Sequence, residues 1–178
     1  MEPMASAELM SDGTARVARV VDVVVAGFVR HWLLAVNTIM AGYVGLAALA
    51  PILRAAGYDV LARPIYAVYS LICHQRPGRS FHLQDEQMAF CERDTAIFAA
   101  VIAGGLVFAL LRSRLGPLAV WGLVALSLPM AVDGLTQLVG LRESAWELRV
   151  LTGSLFGVGV VWFVFPHLER GFATASPP

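Results

Sequence analysis

Residues 32–53 read WLLAVNTIMAGYVGLAALAPIL, an uncharged apolar run that begins with a tryptophan. At about 1.5 Å per residue, a helix of this length crosses a hydrocarbon core of roughly 30 Å. Trp32 suits the headgroup boundary at one end of such a span. Asn37 is the one strongly polar side chain within the run, so we expect it to face protein rather than lipid. The run predicts a transmembrane helix.

Three further apolar runs follow, at residues 95–111, 118–132 and 150–165. Of all residues, 58% are hydrophobic and 15% are charged, whereas soluble domains have about 45–50% apolar and about 25% charged residues. The formal net charge is zero, and nothing in it points to a nucleic-acid partner. The predicted fold class is an all-α integral membrane protein with about four transmembrane helices in contact with the lipid bilayer.

Two shorter segments flank the first span. Residues 14–31 place apolar side chains at helical spacing with arginines between them, which is typical of an amphipathic helix in the membrane interface. A helix packed on protein is the alternative. Residues 61–73 are apolar but too short to span, so we expect a half-inserted helix that ends at Cys73 and His74. The predicted organisation is a disordered tail (1–13), the interfacial helix (14–31), a single transmembrane helical domain (32–170) and a tail (171–178).

The number of spans decides which loops lie together. Four spans put both termini on one side of the membrane and bring segments 73–94 and 133–149 to the opposite face. The arginines are nearly balanced between the two faces, which weakens the positive-inside rule. We predict cytoplasmic termini, because the arginines of the loop face are interspersed with acids and resemble components of a site.

The polar segment 73–94 reads CHQRPGRSFHLQDEQMAFCERD and contains both cysteines. It offers four potential metal ligands, namely Cys73, His74, Cys91 and Asp94. Thiolate, imidazole and carboxylate all bind zinc, and Cys91-x-x-Asp94 lies on one face at the start of a helix. We predict a zinc site, with iron as an alternative. A Cys73–Cys91 disulfide in an oxidising compartment and two free thiols are the competing interpretations.

The segment 133–149 adds charges at the edge of the hydrocarbon core, where they are costly unless paired or solvated. Asp133 is a natural partner for Arg142 or Arg149. A structural network of ion pairs is favoured over a catalytic one. If the site is catalytic, Glu86 and Asp133 are the candidate general bases.

Three motifs resemble the membrane family catalogued as domain of unknown function 2085. They read CHQRPGRSFHL, EQMAFCERDTAIF and DGLTQLVGLRESAWELRVLTG, and the resemblance covers roughly residues 60 to 165. The family pattern looks like Cys-His-Gln with Arg-Ser-Phe, then Gln with Cys-x-Arg-Cys-Thr-Gly, then Asp-Gly-x-x-Gln with Arg-x-Ser and Arg-x-x-Thr-Gly. The polar positions that match, which we expect to form one network beside the metal ligands, are Gln75, Arg79, Ser80, Gln87, Arg93, Asp133, Gln137, Arg142, Ser144 and Arg149.

The chain departs from the family pattern at Asp94, where the family has a second cysteine, and at Ala96, where it has glycine. A carboxylate still ligates zinc, so either the site survives with less sulfur or it is a degenerate copy. The resemblance implies no activity.

Three functions are therefore weighed. The first is a zinc-dependent enzyme acting on a lipid or lipid-linked substrate. The second is a non-catalytic subunit or assembly factor, with a structural metal or disulfide clasp and a membrane-protein partner or a second copy of itself. The third is a transporter or channel, which the scarcity of polar groups within the spans disfavours.

Overall fold

A computed structural model describes residues 3–175, with side chains over 14–173. Most of this part of the chain is helical, and its only sheet is a two-stranded antiparallel hairpin. The elements in chain order are α1 (Pro3–Ala55), α2 (Asp59–Tyr69), a 3₁₀ turn (Pro77–Arg79), β1 (His82–Leu83), β2 (Glu86–Gln87), α3 (Glu92–Leu111), α4 (Val120–Leu138) and α5 (Trp146–Ala175).

Three segments of the described chain are long and apolar enough to cross a membrane: Thr14–Ala55, Glu92–Leu111 and Trp146–Ala173. The predicted class, an all-α integral membrane protein, is confirmed. The third predicted span falls in α4, whose 19 residues extend about 28 Å at the usual helical rise. Helix α4 contains Asp133 and Gln137 and is not among these three segments, so its crossing of the membrane stays a prediction.

The backbone of α1 breaks at His31, where φ is −118° and ψ is 16°. This break lies at the boundary between the predicted interfacial helix, 14–31, and the first span. Residues before it, including Val20, Val24 and Phe28, leave their apolar side chains exposed, as a lipid-facing helix does. Helix α2 begins two residues before the predicted half-inserted helix, 61–73, and ends at Tyr69, so a turn over residues 70–72 and not the helix itself leads to Cys73 and His74.

The predicted domain boundaries stay predictions. Residues 1–2 and 176–178, the outer ends of the two predicted tails, lie outside the described residues.

Trp32 follows the break in α1 and is buried against Phe108 and Phe165, while its indole N–H donates to Glu169 at 2.8 Å.

Helices α3 and α5 pack with their backbones in direct contact. A Cβ atom added at Gly157 would lie 2.6 Å from the Ile97 carbonyl oxygen, and one at Gly153 would lie 2.8 Å from the Arg93 carbonyl oxygen. Two glycines four residues apart leave a smooth strip along which a second membrane helix can approach. The sequence analysis did not predict this contact.

Helix α1 meets α3 at Asn37 and Gly105. The Asn37 amide donates to the Leu33 carbonyl at 2.8 Å and occupies the space in front of Gly105. The prediction that Asn37 faces protein is confirmed. Gly104 faces α5, because a Cβ atom there would lie 3.2 Å from Val161 Cγ1. The adjacent glycines of α3 therefore make close contacts with two different helices.

Gly105→Ala is expected to destabilise the protein by about 1–3 kcal/mol, because the new methyl group overlaps the Asn37 amide, 2.7 Å from its Nδ2. The measurement is the thermal unfolding midpoint in detergent. Gly42→Ala in α1 is the matched control, since nothing lies within 4 Å of a Cβ atom there. The control should be neutral or slightly stabilising, because alanine favours a helix over glycine. Equal midpoints for the two variants would contradict the assigned contact.

Candidate functional site

One end of the bundle gathers the polar segments that the sequence placed on one membrane face. The C-terminal end of α2, the hairpin, the N-terminal end of α3 and the α4–α5 connection all meet there. Below them is an aromatic cluster in which Tyr69 and Phe90 are buried, with Tyr43 and Phe98 packed against them. The Tyr69 hydroxyl donates to the Tyr43 carbonyl at 2.6 Å, which ties α2 to α1. The polar end of the molecule therefore packs on a buried aromatic cluster.

Both cysteines and Asp94 come together at the start of α3. Cys91 is the N-cap residue of this helix, and its sulfur accepts the Asp94 backbone N–H at 3.4 Å. The Cys91 backbone N–H in turn donates to the sulfur of Cys73 at 3.2 Å. Ligand atoms of Cys73, Cys91 and Asp94 all lie within 4.8 Å of one another. Three of the four predicted metal ligands thus form one group.

His74 is the fourth predicted ligand, and it stands apart from this group. Cys73 points into the buried aromatic cluster, while His74 is exposed at the edge of the cleft described below. Gln75 follows with φ at 47°, the left-handed conformation that reverses the chain. Adjacent side chains diverge in this way, so the structure brings together three predicted donors and leaves the histidine at the rim.

The two thiols differ in acidity. The hydrogen bond from the Cys91 thiol lowers the pKa of Cys73, whose sulfur also accepts a backbone hydrogen bond at Gln75. The same thiol–thiol bond, together with burial, raises the pKa of Cys91. Hydrogen bonds to the ionised form favour it. Cys73 is therefore the thiol that ionises first.

Asp133 is the centre of the ionic network. It is 1% exposed, and its carboxylate accepts from the Arg142 guanidinium at 2.6 Å and from the Ser144 hydroxyl at 3.0 Å. The Arg93 guanidinium donates to the same carboxylate. The expected Asp133–Arg142 pair is present. Because every oxygen of Asp133 is engaged, its environment is that of a structural anion.

Arg149 pairs with Glu92 and not with Asp133. Its guanidinium lies 2.7 Å from the Glu92 carboxylate and also donates to the Ser144 carbonyl. The Glu92 and Arg149 side chains are only 11% and 7% exposed. One nitrogen of the Arg79 guanidinium, Nη2, donates to both carboxylate oxygens of Glu143, at 2.9 and 3.0 Å. The charges in the sequence alone did not reveal which acid pairs with which arginine.

The remaining predicted polar residues organise the connecting segment and the end of α4. The Gln87 amide donates to the Gln75 carbonyl at 2.6 Å and to the Ser80 hydroxyl at 3.2 Å. The Gln75 amide donates to the carbonyls of Tyr66 and Ala89. At the end of α4 the Gln137 amide donates to Glu143 at 3.3 Å. The Gln75 and Gln87 amides thus fix the backbone of the segment between the two cysteines, and Gln137 joins the end of α4 to the α4–α5 connection.

A cleft of about 330 Å³ opens beside the three donors. Its walls combine the donor group with four arginines, two glutamines and two aliphatic side chains. The lining residues are Ile72, Cys73, His74, Gln75, Arg76, Arg79, Cys91, Arg93, Asp94, Gln137, Leu138 and Arg149. Neither candidate base, Glu86 or Asp133, lines it. Glu86 lies on the hairpin, 3.5 Å from Arg54.

Residues 73–163 match the family described as "Predicted membrane protein (DUF2085)". An uncharacterised protein of Methanocaldococcus jannaschii is 45% identical over 105 residues, which are 57% of this chain and 67% of that protein. An uncharacterised protein of Methanothermobacter thermautotrophicus is 33% identical over 102 residues, 56% of this chain and 92% of that protein. No solved structure matches the chain. The match covers the donor group, the arginine network and the α3–α5 pair, and the chain belongs to this family of predicted membrane proteins.

Proposed function

We propose that the protein is a zinc-dependent membrane enzyme that acts on a lipid or lipid-linked substrate. The observation that carries this proposal is the placement of three convergent donors, Cys73, Cys91 and Asp94, in the wall of an open cleft. Catalytic zinc sites use three protein ligands and keep one position for water or substrate, whereas structural sites are closed by four. An open set of three donors beside an accessible cleft fits the catalytic type.

The chemistry of the donor set fits zinc. Two sulfurs and a carboxylate oxygen are ligands that zinc accepts. Each sulfur also receives a backbone N–H, from Cys91 to Cys73 and from Asp94 to Cys91. Such hydrogen bonds orient a ligand and support its negative charge. Two thiolates and one carboxylate would carry three negative charges. Zinc would balance two of them, and the arginines of the cleft would offset the one that remains.

Bound at these donors, zinc would supply a Lewis acid and lower the pKa of a coordinated water. The chain's own residues then bind and orient. Arg93 is fixed by Asp133, and Arg149 is fixed by Glu92, so two guanidinium groups are held in place beside the donors. Preorganised cations of this kind stabilise negative charge that develops in a reaction. Because Glu86 and Asp133 do not line the cleft, we assign neither of them as the base.

The test is the metal content of detergent-purified protein, together with a count of free thiols. We expect about one zinc per chain in the wild type with both thiols protected, and loss of the metal in Cys91→Ser, because removing one ligand of a three-ligand set weakens binding severely. His74→Ala is the matched control, since His74 lies outside the donor group, and it should keep its zinc.

Three outcomes would contradict the proposal or part of it. A metal-free wild type with no free thiols would establish a disulfide and remove the enzyme hypothesis. A metal-free wild type with two free thiols would mean that Asp94 marks a degenerate site. Loss of zinc in His74→Ala would mean a closed set of four ligands, which favours a structural site.

A non-catalytic role is the second candidate. Its support is the position of Cys73, which is buried among Ala47, Tyr69 and Phe90 and joins the end of α2 to the start of α3. A metal or disulfide there would fasten the connecting segment to the bundle, as expected of a membrane-complex subunit or assembly factor. In that case Cys91→Ser would lower the thermal midpoint while no lipid-directed activity is found in the wild type.

A further inference from the structure

The cleft combines cationic walls with apolar lips. Its charged lining consists of Arg76, Arg79, Arg93 and Arg149 against one acid, Asp94. Its two aliphatic lining residues, Ile72 and Leu138, are 62% and 80% exposed. Ile72 follows the end of α2 and Leu138 ends α4, so the two lips come from separate helices. Exposed aliphatic side chains at the rim of a polar site are unusual for a ligand delivered from water.

The apolar surface continues outward from each lip. Leu71 precedes Ile72 in the chain, Val139 and Leu141 follow Leu138, and all three are exposed large hydrophobic residues. In a bilayer spanned by the apolar helices beneath, these side chains would place the mouth of the cleft where lipid tails meet headgroups. A ligand with acyl chains would therefore contact both lips while its polar part enters the cleft.

The four arginines are not equally committed to partners inside the protein. Arg76 has no ion-pair partner among residues 14–173, whose side chains the structure describes, and Arg79 pairs with Glu143, whose side chain is 75% exposed. Pairs at such a surface contribute little and exchange readily. Arg149 is buried, lines the cleft and has no partner for its Nε–H, and the Nε–H of Arg93 is likewise unpaired. Donor capacity for an anion is thus available at the rim, from Arg76 and Arg79, while the buried Arg149 contributes a fixed positive charge to the wall.

We propose that the cleft binds the anionic phosphate headgroup of a membrane lipid. Arg76 and Arg79 would hold the phosphate, Arg149 would supply a fixed buried charge behind it, and the acyl chains would lie over Ile72 and Leu138. Arginine suits this role because its guanidinium matches phosphate with parallel hydrogen bonds. The inference rests on the proposed function and names its substrate class, since the phosphate would lie beside the Cys73, Cys91 and Asp94 donors.

The test is binding of short-chain lipids to detergent-purified full-length protein by calorimetry. Dioctanoyl phosphatidylglycerol is the anionic probe, dioctanoyl phosphatidylcholine is the same phosphate carrying a compensating cation, and inorganic phosphate is the soluble source. We expect phosphatidylglycerol to bind at least about tenfold more tightly than either of the others, the equivalent of one charge-assisted hydrogen bond or one well-buried apolar contact.

The variants distinguish the contribution of the lipid headgroup to binding from that of the acyl chains. Arg76→Ala and Arg79→Gln should each weaken phosphatidylglycerol binding about tenfold, whereas Arg63→Ala, an exposed arginine outside this cleft, should change it less than about twofold, as expected for a screened surface charge. Leu138→Ser should weaken lipid binding and leave phosphate binding unchanged. All of these side chains are exposed or at a rim, so the variants are expected to fold.

The proposal would be overturned if phosphatidylcholine bound as tightly as phosphatidylglycerol. It would also be overturned if Arg63→Ala and Arg76→Ala weakened phosphatidylglycerol binding to the same extent. Phosphate binding as tight as lipid binding would overturn it too, because the ligand would then be a soluble anion. The two proposals fail separately. Phosphatidylglycerol binding that persists in metal-free Cys91→Ser supports the lipid site on its own, and zinc bound by a protein without lipid preference leaves only the metal site.

Discussion

Replacing Gly157 by leucine is expected to lower the free energy of unfolding by about 3 kcal/mol, the upper end of the usual overpacking range. The reason is the contact between α3 and α5. A Cβ atom at residue 157 would lie 2.6 Å from the Ile97 carbonyl oxygen and 2.9 Å from the Ala100 Cβ atom. The first of these atoms belongs to the backbone, so no side-chain rotation can relieve the overlap and the helices must separate.

Separation of α3 and α5 would displace residues of the candidate site. Gly153 makes the same kind of contact one turn nearer the site, with the Arg93 carbonyl oxygen. Arg93 binds Asp133 of α4, and Arg149 of α5 binds Glu92 of α3. The experiment compares unfolding in denaturing detergent for Gly157→Leu and for Gly45→Leu, where nothing lies within 4 Å of a Cβ atom. Similar unfolding of both variants would show that α3 and α5 are not packed as described.

The sequence predicted the membrane class because hydropathy is a property of composition along the chain. Length and apolar content suffice to identify spans, and three of the predicted ones agree with the segments found. The α3–α5 contact was missed because the signal is the spacing of Gly153 and Gly157 within one run. A search for two small residues four apart would have found it.

The site was predicted in its residue types more than in its geometry. Cysteine, histidine and aspartate in a loop indicate a possible metal site. The conformation of the backbone decides which of these side chains lie close together. His74 is separated from Cys73 by a local turn at Gln75, where φ is positive, and no residue type signals that turn, because glutamine rarely adopts it. The partner of each arginine was equally hidden. Glu92 and Arg149 are 57 residues apart, and only the approach of α3 to α5 brings them together.

Breaking the Glu92–Arg149 pair is the second change with a large expected effect. Arg149 Nη1 and Glu92 Oε2 lie 2.7 Å apart, and both side chains are almost entirely buried. Glu92→Gln would leave the Arg149 guanidinium buried beside a neutral amide, and removal of one partner of a buried pair costs about 3–5 kcal/mol. Arg149→Met would leave the Glu92 carboxylate buried without its cation, at a similar cost. The measurement is the free energy of unfolding in denaturing detergent.

The double variant decides whether the loss belongs to the pair. Glu92 lies in the first turn of α3, where a carboxylate also gains about 0.3–1 kcal/mol from the helix dipole. That contribution is lost in Glu92→Gln whether or not Arg149 is present. If the pair dominates, Glu92→Gln combined with Arg149→Met should cost no more than the larger single loss, which corresponds to a coupling of about 3 kcal/mol or more. Losses that simply add would assign the two residues separate roles, and the packing of α3 on α5 would then not depend on this pair.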